Sequence, residues 1–234
     1  YVQGLPVAFF SLEMNQLQIA RRMLAIHTGI RNAQVTAGMN SHNEPVNFDA
    51  LDDAAALIGA SPLYVFDKIR ALPQLRAKCQ QLVAKNKVKL IVVDYLQLLK
   101  TGTKLDNSHY DRVTDVSREL KEISTLLNVA VLALAQLSRG VENREGNRPQ
   151  LSDLKESGAI EQDADNVVFL YRPAYYSAKN KDGYPVDERL LNNIVAKNRN
   201  GSTHNDEEAI SLDYDLPTNR IVDRVPVVNH TYKF

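Results

Sequence analysis

The chain has little of several things, and each shortage narrows what it can be. Its 234 residues include one cysteine, Cys79, so no internal disulfide can form and a disulfide-framed secreted domain is excluded. A reducing cytoplasmic setting is expected, with Cys79 a small packing residue on a helix. No apolar run approaches the ~18 residues that a membrane-spanning helix needs, and no signal-peptide pattern occurs. Net charge is lacking too: 28 lysines and arginines offset 28 aspartates and glutamates. Any nucleic-acid contact must therefore come from locally placed bases, not from overall charge. No repeat or linker divides the chain, and 44% hydrophobic against 24% charged residues is ordinary for a globular protein. A single domain over residues 1–234 is expected. Because Tyr1-Val-Gln-Gly-Leu-Pro6 reads like the middle of a protein, that domain is expected to be incomplete at its amino-terminal end.

What is present centres on Lys89-Leu-Ile-Val-Val-Asp94-Tyr-Leu-Gln97-Leu-Leu99. Leu90 to Val93 is an unbroken, β-branched-rich apolar run, which suits a strand buried on both faces of a parallel sheet. Asp94 closes it. Ligands of open α/β sheets bind outside the carboxyl ends of strands, and an acid there can hold hydrated Mg²⁺ beside a nucleotide phosphate. It can equally cap a turn.

Periodicity predicts the rest. Val7 to Glu13 reads as a strand ending in an acid, and Met14 to Thr28 as a helix closed by Gly29. Arg31 to Val46 is a loop with room for one short helix, and Phe48 to Ala60 is a helix. Leu63 to Asp67 is a strand, followed by a helix from Pro73 to about Asn86. Ser108 and Asp111 have capping-box spacing at the start of a helix reaching Leu127. Val129 to Ala135 is a buried strand ending at Gln136, and Ser138 to Gln150 a mobile loop. Asn166–Tyr171, Leu190–Asn198, 208–214 and 220–223 are strands, and Tyr175–Glu188 is a charged insertion without an assignable role. Alternation of strand and helix implies an α/β fold: a mostly parallel central sheet flanked by helices, with antiparallel strands at the carboxyl-terminal edge.

Glu13, Asp67, Asp94 and Gln136 all stand at strand ends. Nucleotide hydrolysis needs such groups: a carboxylate to activate water, one to hold Mg²⁺ and an amide to sense the γ-phosphate. For Asp67, followed directly by Lys68, an ordinary polar exit from a strand is the better reading.

Five stretches then occur in order: Ser11-Leu-Glu-Met14, the central LIVVDYLQLL, Leu134-Ala-Gln-Leu-Ser-Arg139, Asp153-Leu-Lys-Glu-Ser-Gly-Ala-Ile-Glu-Gln-Asp-Ala-Asp165 and Ala196-Lys-Asn-Arg-Asn-Gly201. From about Phe9 to Asp223 the chain resembles the carboxyl-terminal RecA-like motor domain of the DnaB family of replicative DNA helicases. The resemblance implies ATP and Mg²⁺ as substrate and cofactor. It also implies a hexameric homo-oligomer moving 5′→3′ on single-stranded DNA in the bacterial cytoplasm, with a primase and a helicase loader as partners. Glu13 corresponds to the glutamate that activates water, Asp94 to the Mg²⁺-supporting aspartate and Gln136 to the γ-phosphate-sensing glutamine. Lys197 and Arg199 correspond to a basic pair reaching a neighbouring subunit's nucleotide, with Arg199 the arginine finger. Lys155, Glu156 and Gly158 fall in the family's DNA-binding loop, and Arg139, Arg144 and Arg148 could add phosphate contacts beside it. Lys155 stands where the family usually has arginine, keeping charge without bidentate geometry.

There are departures. No GxxxxGK[ST] phosphate loop occurs, so this polypeptide alone is not expected to hydrolyse ATP. Ser202-Thr-His-Asn follows Gly201 in place of the family's Pro and Gly. Two rivals stay open: a RecA- or RadA-type recombination ATPase, and a non-catalytic relative acting as loader or regulator.

Overall fold

The structure, a computed structural model, describes residues 3–154, 158–177, 183, 185–204 and 209–224. In order come β1 (Val7–Ser11), α1 (Gln16–Thr28), α2 (Asn32–Ala37), α3 (Phe48–Ala60), β2 (Leu63–Phe66), α4 (Leu72–Asn86) and β3 (Leu90–Asp94). Then follow α5 (His109–Leu127), β4 (Ala130–Ala133), α6 (Gly158–Asp163), β5 (Asn166–Tyr171), α7 (Pro173–Tyr176), β6 (Leu190–Asn198), β7 (Ile210–Asp215) and β8 (Arg220–Asp223).

Local chemistry sets many of these limits. α1 starts at Asn15, whose side chain accepts from the Gln18 N–H while the Gln18 side chain accepts from the Asn15 N–H. That reciprocal pair is a capping box, and it moves the helix start two residues past Met14. Gly29 ends α1 at φ 75°, a left-handed conformation that favours glycine. α5 starts where Ser108 Oγ accepts from the Asp111 N–H at 3.2 Å.

Strands β2-β1-β3-β4 form a parallel sheet, and β5-β6-β7-β8 an antiparallel one. Phe10 and Val93 are opposite each other in the first, as are Ser11 and Asp94. Both sheets close on one core, where Phe10, Ile91 and Val93 meet Leu75 and Cys79 of α4, Val113, Val116 and Ile123 of α5, and Val167, Phe169 and Ile194 of the second sheet. Phe10 and Phe66 stack at 5.2 Å. Burial pushes the Cys79 thiol up to about 12, which suits an unreactive packing group. Among the described residues no helix is long and apolar enough to cross a membrane.

Two expectations are corrected. The stretch after Val129 is not buried on both faces. β4 is covered on one face alone: Val131 and Ala133 pack against the core while Leu132 on the other face is 54% exposed. The second concerns residues 138–150, expected as a loop without regular structure of its own. It winds through 3-10 turns at Arg139–Asn143 and Glu145–Asn147 and is tied to a third at Leu151–Leu154. The tie is the Arg144 guanidinium, which grips both carboxylate oxygens of buried Asp153 at 2.7 and 2.8 Å. Arg144 is therefore engaged inside the chain and is not placed as a phosphate contact.

Candidate active site

The parallel sheet brings three of the strand-end groups together. β1 and β3 are in register to Ser11 and Asp94, and past Ser11 the Leu12 N–H donates to the Asp94 carbonyl at 2.7 Å. Fully buried Ser11 ties off the turn: its Oγ donates to the Met14 carbonyl at 2.6 Å and accepts from the Met14 N–H at 3.2 Å. This turn leaves Glu13 exposed on the rim beside Asp94. On the other side of β3, the Leu134 N–H donates to the Val93 carbonyl at 2.9 Å and the Leu96 N–H to the Leu134 carbonyl at 3.0 Å. The chain thus leaves β4 alongside the exit of β3. Glu13, Asp94, Tyr95, Leu134, Ala135 and Gln136 line one open cavity of about 250 Å³.

The Asp94 carboxyl is pushed above the usual carboxylate range. Partial burial at the strand end is the main cause and the negative charge of Glu13 the next, with Arg22 pulling the other way. Two carboxylates pressed together in this way suit a cation. Among the described residues no cluster of three or more histidine, cysteine or acidic groups could cage a metal. The acid pair itself is a donor set that fits Mg²⁺, which binds through one or two carboxylates and completes its shell with water and substrate phosphate.

Asp94→Asn removes the strained carboxylate. It raises the melting temperature of the nucleotide-free protein at neutral pH, by about 2–4 °C for each kcal/mol relieved. A carboxyl whose folded pKa is raised carries its penalty above that pKa and loses it once protonated. The advantage of asparagine therefore fades as pH falls through the raised Asp94 value. Melting scans from pH 4 to 8 check this; an asparagine variant that melts lower than wild type at neutral pH would contradict it.

Asp67 lies apart from this cavity. Its carboxylate accepts from the Gln16 N–H at 3.0 Å, capping the first turn of α1. The ordinary reading of that strand end holds.

Lys197 and Arg199 stand at the end of β6, in the other sheet, and do not line the cavity. Lys197 Nζ donates to the carbonyls of Glu161 at 2.6 Å and Ala164 at 2.8 Å, closing the carboxyl end of α6. The Arg199 guanidinium pairs with Asp165 at 2.7 Å, and the Arg199 N–H donates to the Asp165 carbonyl at 2.9 Å. Asp165 also pairs with Lys121 of α5 at 2.6 Å. The Lys121 hydrogen bond, followed by the charges of Lys121, Arg199 and Lys197, holds the Asp165 carboxyl below its ordinary range.

Of the residues expected to meet DNA, Lys155 and Glu156 lie outside the described residues. Gly158 opens α6, and a Cβ added there would meet nothing within 4 Å. Arg139 is exposed at the start of its 3-10 turn, while Arg148 lies over the Tyr171 ring at 5.7 Å.

Gln97, Asp153 and Asp165 carry structural tasks around these groups that residue spacing did not disclose. All three lie within the quoted motifs, and that placement is the one sequence signal that marks them.

A parallel sheet flanked by helices, with an antiparallel sheet beside it and polar groups gathered at one rim, places the chain in the RecA-like class of α/β domains. Comparison with known proteins agrees. The family model described as "DnaB-like helicase C terminal domain" matches residues 1–221, and the chain belongs to that family. It is 41% identical over 197 residues to the replicative DNA helicase DnaC of Bacillus subtilis (strain 168), covering 83% of this chain and 41% of that protein. A solved ATPase domain superposes with a TM-score of 0.83 at 30% identity, covering 96% of this chain and 76% of that one. A DnaB-like replicative helicase, solved in a study of its interactions with primase, gives the same score and identity, with 52% of its chain covered. The chain spans less than half the length of the curated relatives it matches first.

Proposed function

We propose that this chain is the greater part of the motor domain of an ATP-driven replicative DNA helicase. The observation that carries the reading is the convergence of Glu13, Asp94 and Gln136 on one cavity at the carboxyl-end rim of the parallel sheet. Glu13, exposed and unpaired with any lysine or arginine in the described salt bridges, accepts a proton from the attacking water. Asp94 holds the hydration shell of Mg²⁺, which when bound neutralises charge on the β- and γ-phosphates. The Gln136 amide donates to the γ-phosphate and reports its loss to the chain beyond β4. Arg199, with Lys197 beside it, stands at the end of a strand of the second sheet, outside the cavity, and serves the nucleotide of the next subunit in a hexameric ring. Its position away from its own chain's cavity supports an action in trans.

The phosphate loop of such a motor has to come from chain outside these residues.

Lys155, Glu156 and Gly158, with Arg139, form the loop that tracks single-stranded DNA in the ring's channel, moving 5′→3′ as hydrolysis proceeds around the ring. Primase and loader bind parts partly beyond this chain, and the protein works in the cytoplasm of a bacterium or in the bacterial host of a phage. Lys155→Ala weakens single-strand binding and lowers the slope of log affinity against log salt by about 0.7, one phosphate contact's worth. Binding titrations between about 50 and 200 mM salt test it; an unchanged slope places the DNA contact elsewhere.

A second reading rests on one observation, the absence of GxxxxGK[ST]: a non-catalytic relative that binds helicase subunits as loader or regulator. The ATPase rate of the full-length gene product, with and without single-stranded DNA, separates the two. DNA-stimulated turnover supports the motor. No turnover by the whole gene product overturns it in favour of the binding subunit.

A further inference from the structure

Gln97 is a buried polar side chain, 7% exposed, in the 3-10 turn Leu96–Leu98 that follows Asp94 and Tyr95. Its Nε2 donates to the Gln136 carbonyl at 2.9 Å, and its Oε1 accepts from the Gln136 N–H at 3.2 Å. The primary amide therefore occupies both main-chain groups of one residue, as a paired peptide unit of a neighbouring strand would. It does so where the backbone ladder has run out. The last main-chain bond between the two chain exits is from the Leu96 N–H to the Leu134 carbonyl, and beyond it the chain after β3 coils into the turn. Side-chain pairing carries the sheet's order two residues further, to the point where Gln136 projects over the cavity that Glu13 and Asp94 share. The turn has a support of its own: the Arg112 guanidinium of α5 lies 3.5 Å from the Gln97 carbonyl.

We propose that Gln97 is a positioning residue of the hydrolytic site. By clamping the main chain of Gln136 it sets where that amide stands and ties it rigidly to the Asp94 turn, so the groups that meet the metal and the γ-phosphate move as one body. The proposal rests on the reading of Gln136 as the phosphate-sensing amide. Gln97 touches no substrate; it acts through Gln136. A buried side-chain amide with one donor and one acceptor satisfied on the same residue specifies geometry, whereas a packing leucine there would leave the Gln136 N–H and carbonyl without these partners.

The test uses the full-length protein with ATP and single-stranded DNA. Gln97→Leu, similar in volume, lowers kcat by about 10–100-fold, the usual cost of losing a group that orients a functional one. KM for ATP and the affinity for a non-hydrolysable ATP analogue stay within twofold. On a Gln136→Ala background the Gln97→Leu penalty disappears, because the clamp then has no side chain to place. A merely structural role would lower stability and leave the two penalties additive. Gln97→Asn covers the case in which leucine impairs folding. It keeps the amide's donor and acceptor but draws them back by one methylene, and an intermediate kcat is expected. Loss of turnover in Gln136→Ala together with wild-type kcat in both Gln97 variants overturns the positioning role alone. Wild-type turnover by Gln136→Ala overturns the sensor reading, and the positioning role with it.

Discussion

In the ring proposed for the full-length protein, Arg199→Ala is expected to lower ATP turnover by about 10³-fold or more while nucleotide still binds, because the finger role proposed for it contributes charge to the transferring phosphoryl and little to ground-state binding. The structure shows the guanidinium at rest against Asp165, with both side chains about half exposed, 50% and 44%. Exposed pairs of this kind contribute about 0–1 kcal/mol, so Asp165 can release Arg199 to a neighbouring subunit, and the melting temperature of the alanine variant stays near that of wild type. Steady-state hydrolysis alongside analogue binding checks the expectation. Turnover within a few-fold of wild type would sink the shared-site model.

Glu13→Gln is the second large effect. Removing the general base proposed at Glu13 is expected to cost about 10²–10⁴ in rate, and glutamine keeps the size and exposure of the side chain. The turn that presents residue 13 is built from Ser11, Leu12 and Met14 main-chain and hydroxyl groups, so the substitution leaves the turn intact. Nucleotide affinity is expected to hold while kcat collapses. Mixing Glu13→Gln subunits with Arg199→Ala subunits then gives a sharper outcome. Some interfaces of a mixed ring pair an intact Glu13 with an intact Arg199, so turnover reappears above the level of either variant alone. No recovery would mean that both residues serve the same subunit's nucleotide. That outcome fits poorly with Arg199 lying outside the cavity that Glu13 lines.

Much of the fold was legible along the chain. The helix over Phe48–Ala60 and the strands over Leu90–Asp94 and Asn166–Tyr171 match their predicted limits, and Gly29 and Ser108 mark ends where they were read. These features have local causes: apolar period, a left-handed glycine, a hydroxyl within reach of an N–H two or three residues on. The start of α1 was misplaced because Met14 continues the apolar pattern, while the Asn15–Gln18 capping box, itself a local signal, went unread. Predicting two-sided burial after Val129 failed for another reason. The same apolar run serves a strand covered on one face or on both, and only the packing on the sheet tells them apart.

The sequence by itself determined the α/β class and the family and singled out Glu13, Asp94 and Gln136 as site candidates, since ordered motifs and strand-end chemistry are written in consecutive residues. Only the tertiary structure decided which polar groups are already occupied. Asp67 is spent on the first turn of α1, Arg144 on Asp153, Lys197 on the end of α6 and Arg199 on Asp165. It also decided that Gln97, 39 residues away in sequence, grips the main chain of Gln136. Such partnerships join segments brought together by packing, and a hydrogen bond requires a distance near 3 Å that no spacing along the chain encodes.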